Sequence, residues 1–315
     1  LFSIEHFGIH TMPSFALKVI RPVFSLGSRL APDLTSRLAF QLFCLTPSRK
    51  PAGSKAHQVH ADGCRRLAGA QATPFQVGAT TVMAYRFDGG GVAPRRRFLV
   101  VHGWGSAAAY ISALAEGLAA DGDEVVVLDF PGHGQSSGRY LHMRLAVDVI
   151  LEAERRFGRF DGAVGHSFGG ASLMLAAGGI MDGVDRLSAP RLAVIGAPSR
   201  IEWLFDAFSR VTGLNDRTKS AMIRRAERVA GAVLGDFDTV AVAQKIGTPL
   251  LVVHAKDDKE VDADHAERFL PVTSATVHWA DGLGHRRIIS DRAVIRTIRS
   301  FLRAEQADEA HTSAA

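Results

Sequence analysis

An α/β architecture is predicted: a mostly parallel central sheet with helices on both faces and an inserted helical cap. Three observations carry this reading. From residue 79 to residue 304, short apolar runs rich in Val, Ile and Leu alternate with segments of helical period. Most of these runs are continuously apolar, as strands covered on both faces must be. The rhythm lapses once, over 201–247, where the chain is helical throughout and holds no strand run. Repeated strand–helix units build a parallel sheet by right-handed crossovers, and the lapse marks an insertion between two strands.

Taken in order, "ATTVMAYRF" (79–87) alternates like a half-exposed strand and stops at the turn "DGGG". "RFLVVHG" (97–103) is a buried strand, and "AYISALAEGLAADG" (109–122) a helix with a glycine stop. "DEVVVLDF" (123–130) is the next strand, followed by the loop "PGHGQSSG" and a helix over 139–158 with basic residues near its end. Strand "DGAVGH" (161–166) runs directly into helix "SFGGASLMLAAGG", and "RLAVIGA" (191–197) is a strand. After the cap come strand "PLLVVHA" (249–255), a short helix over 262–270, strand "SATVHWA" (274–280) and a last helix from about Arg287 to Ala304. The domain reading is an extension over 1–56, a core over 57–200 and 248–304, a cap over 201–247 and a disordered tail over 305–315.

Composition narrows the function. Of 315 residues, 47% are hydrophobic and 22% charged, enough apolar material for a sizeable core. The net charge of +5 belongs to the first 60 residues, which hold seven Lys/Arg against Glu5 and Asp33; the rest is balanced. A nucleic-acid-binding face on the main domain is therefore not expected. Cys44 and Cys64 have neither metal-type spacing nor a disulfide framework and read as reduced thiols. The apolar start is broken by Glu5, His6, Lys18 and Arg21, so no secretory signal is expected, and Met12 is a candidate first residue. A cytoplasmic location follows, with membrane-peripheral placement open. The uncharged run 162–181 contains six glycines plus His166 and Ser167, and reads as strand, turn and helix rather than a membrane span.

In such a sheet, the loops beyond the strand ends converge on one crevice. They carry His102-Gly103-Trp104-Gly105, then Asp129 to Gly134, then Gly165-His166-Ser167-Phe168-Gly169, then Asp257-Asp258-Lys259-Glu260-Val261, then Gly284-His285. A G-x-S-x-G pentapeptide arises by chance about 0.2 times in a chain of this composition, so the motif alone is weak. A helix N-cap is the ordinary reading of such a serine. What raises it is a strand before, a helix after, and an acid and a histidine in the order Ser, Asp, His.

Jointly these motifs resemble the α/β-hydrolase fold family, over about residues 79–304. The resemblance implies a serine hydrolase acting on a carboxylic ester or thioester through an acyl-enzyme, without cofactor or metal. It implies Ser167 as nucleophile on an elbow whose Gly165 and Gly169 must be small, and His285 as general base. The acid is Asp257 or Asp258, and the family's Asp-x-x-Val pattern fits Asp258. It implies backbone N–H groups of Trp104 and Phe168 as the oxyanion hole. Its Asp-x-Pro-Gly-x-Gly-x-Ser loop, here 129–136, is architectural, and no catalytic role is expected for His133. In the cap, Trp203, Leu204, Phe205 and Phe208 are expected to line an apolar entrance for a small-molecule substrate.

Three other readings compete. Gly103-x-Gly105-x-x-Ala108 with Asp129 satisfies most of a dinucleotide fingerprint, but Trp104 crowds the turn and Ser167, Asp258 and His285 are left unexplained. Asp258, Glu260, Asp262 and Asp264, with His254 and His265, lack the glycine and distal glutamate of a calcium loop. A non-catalytic binding protein on the same scaffold is the third. In the extension, Phe15, Val19, Ile20, Val23, Phe24 and Leu30 can share one helical face and Lys18, Arg21 and Arg29 another. That suits either a peripheral membrane helix, which Pro22 and Gly27 disfavour, or docking on the body.

Overall fold

The computed structural model describes residues 14–90 and 96–304. Three helices come first: α1 (Ser14–Leu30), α2 (Pro32–Cys44) and α3 (Ser54–Leu67). Strands β1 (Gln71–Val77), β2 (Thr80–Phe87) and β3 (Arg97–Val101) precede α4 (Ala108–Ala119), β4 (Glu124–Asp129) and α5 (Met143–Phe157). Next come β5 (Gly162–His166), α6 (Phe168–Gly178) and β6 (Leu192–Ile195), then helices α7 (Glu202–Thr212), α8 (Asp216–Ala230) and α9 (Thr239–Ile246). The chain closes with β7 (Leu250–His254), α10 (Asp264–Glu267), β8 (Ala275–Trp279), α11 (Gly284–Arg287) and α12 (Arg292–Arg303).

The eight strands form one sheet in the order β1-β2-β4-β3-β5-β6-β7-β8. β1 and β2 are antiparallel to their neighbours and all later pairings are parallel. Period-2 alternation divides the buried strands between two cores. Leu99, Val101, Val126, Leu128 and Val252 face α5, α6 and α9. Phe98, Val100, Val125, Val127 and Val253 face α4 and α12.

β1 was not expected from the sequence. It carries Pro74 and only one buried side chain, Phe75, which a strand tolerates at the sheet's edge, where no second ladder needs the missing N–H. The stretch 201–247 divides in two. Val240, Val242 and Ala243 of α9 belong to the sheet's core, so α9 is a flanking helix and the cap proper is α7 and α8. The uncharged run 162–181 supplies β5 and α6, and among the described residues no helix is long and apolar enough to cross a membrane. The expected tail over 305–315 lies outside the described residues.

The extension is built into the body. Gly27 lets α1 and α2 approach closely, since a Cβ there would stand 2.6 Å from Thr35 Oγ1. Gly63 does the same for α3 on α4, where a Cβ would stand 1.9 Å from Ala109 O. Phe24 and Ala39 of the extension form one apolar cluster with Phe205, Phe208 and Met222 of the cap. The six apolar residues assigned to one face of α1 do not share it. Phe24 turns inward while Val19, Val23 and Leu30 remain exposed, because residue 24 sits about 100° or more from each of those three on a helical wheel. The side chain of Phe15 lies outside the described residues.

Candidate active site

The direction of winding reverses between β3 and β5, which lie side by side with successive connections leaving in opposite directions. At such a switch point the loops beyond the two strand ends diverge and leave a crevice. Ser167 stands there, between β5 and α6, with φ 53° and ψ −123°. It is the single non-glycine residue with positive φ among the described residues. Backbone strain of this kind costs about 1–3 kcal/mol and persists only where surroundings enforce it. They do: a Cβ on Gly165 would stand 2.6 Å from Gly169 O, and one on Gly169 would stand 2.4 Å from His102 O. Although Ser167 occupies the N-cap position of α6, its side chain makes no capping hydrogen bond. The first internal bonds of α6 are those that the Gly170 and Ala171 N–H groups donate to the Ser167 oxygen at 2.9 and 3.1 Å, so the Phe168 and Gly169 N–H groups precede the helix's own ladder.

Asp258, beyond β7, and His285, beyond β8, meet across the sheet end: His285 Nδ1 lies 2.7 Å from Asp258 Oδ2. The other oxygen, Oδ1, accepts the N–H groups of Glu260 at 2.8 Å and Val261 at 3.0 Å. Burial alone would raise the Asp258 pKa, but the hydrogen bond and charge of His285 and the two amides outweigh it and hold it below the usual value. Asp257 does not reach the imidazole; it accepts the Gly282 N–H at 2.7 Å and so fastens the loop before His285. The His166 ring lies tilted at 45° against that of His285 with centroids 4.7 Å apart, and its Nε2 lies 3.0 Å from the His285 carbonyl oxygen. Glu260 Oε2 stands 3.9 Å from His285 Nε2.

The loop after β3 is held by two histidines. Phe130 N–H donates to His102 Nε2 at 3.0 Å while His102 Nδ1 faces the Gly103 oxygen at 2.7 Å. Gly105 N–H donates to His133 Nε2 at 3.0 Å while His133 Nδ1 faces the Pro131 oxygen at 3.0 Å. Each pair of contacts requires a neutral ring protonated on Nδ1. Burial lowers both pKa values, to about 4 for His102 and about 3 for His133, where the neighbouring His102 adds to the effect. Asp129 is committed to the Ala108 N–H at 2.7 Å, the Gln135 N–H at 2.8 Å and the Tyr85 hydroxyl at 3.3 Å. It is therefore spent on architecture, unlike the free acid a ribose would need. The sequence reading took the 129–136 loop as architectural with no catalytic role for His133; that His133 is the residue reaching Gly105, 28 residues away, is not visible in any local pattern.

A model of the alpha/beta hydrolase family matches residues 98–297. The chain belongs to that family. Among solved structures, an esterase of Pyrococcus furiosus shares 16% identity over 82% of this chain and 98% of its own, with a TM-score of 0.55. Est1E from Butyrivibrio proteoclasticus shares 16% over 73% and 95%, with a TM-score of 0.55. A membrane phospholipase A described as a bacterial virulence factor shares 20% over 78% and 91%, with a TM-score of 0.56. At these identities the likeness is one of fold. No curated protein matches the chain at a significant level.

In this α/β hydrolase, a cavity of about 1770 Å³ lies over Ser167, larger than the usual small-molecule pocket of roughly 300–1,000 Å³. Trp104, Phe168 and His285 contribute to its walls, as do Leu204, Phe205 and Phe208 of the cap. Trp203 does not. Its Nε1 donates to the Arg200 oxygen at 3.1 Å and its ring lies 6.1 Å from that of His265, which turns it to the outer side of α7. The sequence reading also missed the extension as a wall. Ile20, Phe40, Leu42 and Phe43 line the same cavity, and Phe43 stacks on Phe205 at 4.8 Å and meets Phe208 edge-on at 5.3 Å. Among the described residues, no group of three or more His, Cys, Asp or Glu is placed to hold a metal ion.

Proposed function

We propose that the chain hydrolyses a carboxylic ester or thioester with an apolar acyl group, through an acyl-enzyme on Ser167. The observation that carries this reading is the strained Ser167, uncommitted as a cap, on the wall of an apolar cavity that also holds the Asp258-bound His285. Ser167 Oγ attacks the acyl carbonyl carbon as His285 Nε2 takes its proton. Asp258 holds the imidazole with Nδ1 protonated and stabilises the imidazolium without taking the proton. The negative charge on the carbonyl oxygen falls to the backbone N–H groups of Trp104 and Phe168. His285 returns the proton to the departing alkoxide or thiolate. It then takes a proton from the water that attacks the acyl carbonyl carbon, and gives that proton to Ser167 Oγ as the Oγ–acyl bond breaks and the acid leaves. The apolar walls from the cap and extension favour an acyl chain over a charged one, since burial is worth about 0.8 kcal/mol per CH₂.

Fluorophosphonate labelling followed by intact mass tests this. One adduct on wild type and none on Ser167→Ala is the expected result, with ester turnover rising with acyl length. Folded wild type that takes no adduct would sink the reading and leave a binding protein on a hydrolase scaffold.

A further inference from the structure

The outward side of the extension remains unaccounted for. On α1, Val19, Val23, Leu26 and Leu30 fall within a narrow sector of the helix and are 51 to 75% exposed. On α2, Leu34 and Leu38, one turn apart, are 58% and 48% exposed. A monomeric soluble surface rarely gathers this many large apolar side chains on one short unit without a partner. Apart from Asp33 in the first turn of α2, the charge beside them is positive. Lys18 and Arg29 flank the α1 stripe and Arg37 lies on the exposed side of α2; all three are exposed and none has an ion-pair partner among the described residues. Residues 14–30 contain no acid at all, and the first 60 residues carry the whole net charge of the chain.

From this charge complementarity we propose that α1 and α2 form a docking surface for an anionic lipid bilayer. The apolar stripe enters the acyl boundary while Lys18, Arg29 and Arg37 meet the headgroup phosphates. The geometry ties the surface to the site. α1 presents Ile20 to the cavity and Val19 and Val23 to the exterior, so the docked helix is itself a cavity wall. Docking therefore brings the cavity within about one helix diameter, roughly 10 Å, of the lipid. The inward face, with Phe24 and Ala39, explains why Pro22 is tolerated: packing, not intrinsic propensity, holds α1 as a helix.

Co-sedimentation of the full chain with vesicles tests the proposal without relying on turnover, and Ser167→Ala protein is used so that hydrolysis cannot complicate it. The expected result is binding to phosphatidylcholine–phosphatidylglycerol vesicles at least about tenfold tighter than to pure phosphatidylcholine, weakened by salt. Leu26→Asp/Leu30→Asp and, independently, Lys18→Glu/Arg29→Glu are each expected to weaken it about tenfold or more. In the Ser167 background both pairs keep wild-type turnover of a soluble short-chain ester. Absence of binding by folded protein, or binding untouched by either pair, overturns the proposal. So does a dimer that dissociates in Leu26→Asp/Leu30→Asp, which would make a second copy the occupant. If that pair fails to fold, the charge-reversal pair decides alone.

Discussion

The imidazole of His133 accepts the backbone N–H of Gly105 at 3.0 Å, so the loop after β4 holds the loop after β3 in place. This bond lies one residue from Trp104, whose own N–H is proposed to face the reacting oxygen. His133→Ala is expected to lower kcat by about 10- to 100-fold with little change in KM, because only transition-state stabilisation is loosened. Steady-state kinetics on one soluble ester, with circular dichroism to confirm folding, check this.

Asp258 and Asp257 are adjacent in sequence and differ in what they touch. Asp258→Asn should reduce kcat about 10⁴-fold by allowing the wrong imidazole tautomer. Asp257→Asn, which disturbs only the Gly282 contact, should stay within a few-fold of wild type. Equal losses in the two variants would move the acid's role away from Asp258.

Strain at Ser167 can be read by melting. Ser167→Ala and Ser167→Gly both lose activity, but only glycine relieves a backbone at φ 53°. The glycine variant is therefore expected to be about 1 kcal/mol more stable than the alanine variant, a rise in Tm of roughly 1–2 °C. Gly169→Ala, with its Cβ forced against His102 O, should cost about 3 kcal/mol or more, whereas Gly235→Ala, with nothing within 4 Å, should change little.

Buried neutral histidines make the fold acid-sensitive, His102, His133 and His166 among them. Burial, the largest cause in each, lowers the pKa from 6.5 to about 4 at His102 and to about 3 at His133 and His166. Below pH 6.5 the unfolded chain binds protons that the folded chain refuses, so stability is full above pH 6.5 and falls as pH drops toward 4. At about 1.4 kcal/mol per pH unit for each ring, the loss is on the order of 4 kcal/mol per unit while all three differ. Asp258, held below its usual pKa, adds a further loss as pH falls through and below the normal carboxylate range; Asp129, raised by burial, acts in the opposite sense. Urea unfolding at pH 8.5, 7.5 and 5.5 should give nearly equal midpoints for the first pair and a clear drop for the third.

Arg49 joins the extension to the body. Its guanidinium donates to the carbonyl oxygens of Gly132 at 3.1 Å and Gly138 at 2.7 Å, and more weakly to Gly134 at 3.4 Å. Arg49→Ala should destabilise by about 1.5–3 kcal/mol, and Arg49→Lys should recover only part, because an ammonium cannot span the fork. Denaturant midpoints of the three proteins measure this.

The fold class was legible because strand and helix periods are local, and each buried run announces itself within a few residues. Ser167, Asp258 and His285 were legible as polar residues just beyond such runs, in an order the family motif organises. What escaped depends on distant pairings. β1 has no apolar period to show, since one face of an edge strand with Pro74 suffices. Trp203 and Leu204 are neighbours on α7, and a stretch read only as helical does not say which faces the cavity; a rotation of 100° separates them. The extension's place on the cap rests on Phe43 meeting Phe205, residues 162 apart, a contact that no local pattern encodes.

That contact makes the cap a joint construction of two segments. A cap of α7 and α8 alone would present Phe205 and Phe208 to water, and α1 and α2 alone would present Phe24 and Phe43. Cutting away the first helices therefore does not yield a trimmed enzyme; it leaves half a roof with its lining uncovered. Grafting this chamber onto another hydrolase core requires transplanting both segments together, along with Thr46 and Arg49, which anchor the first to the loop after β4.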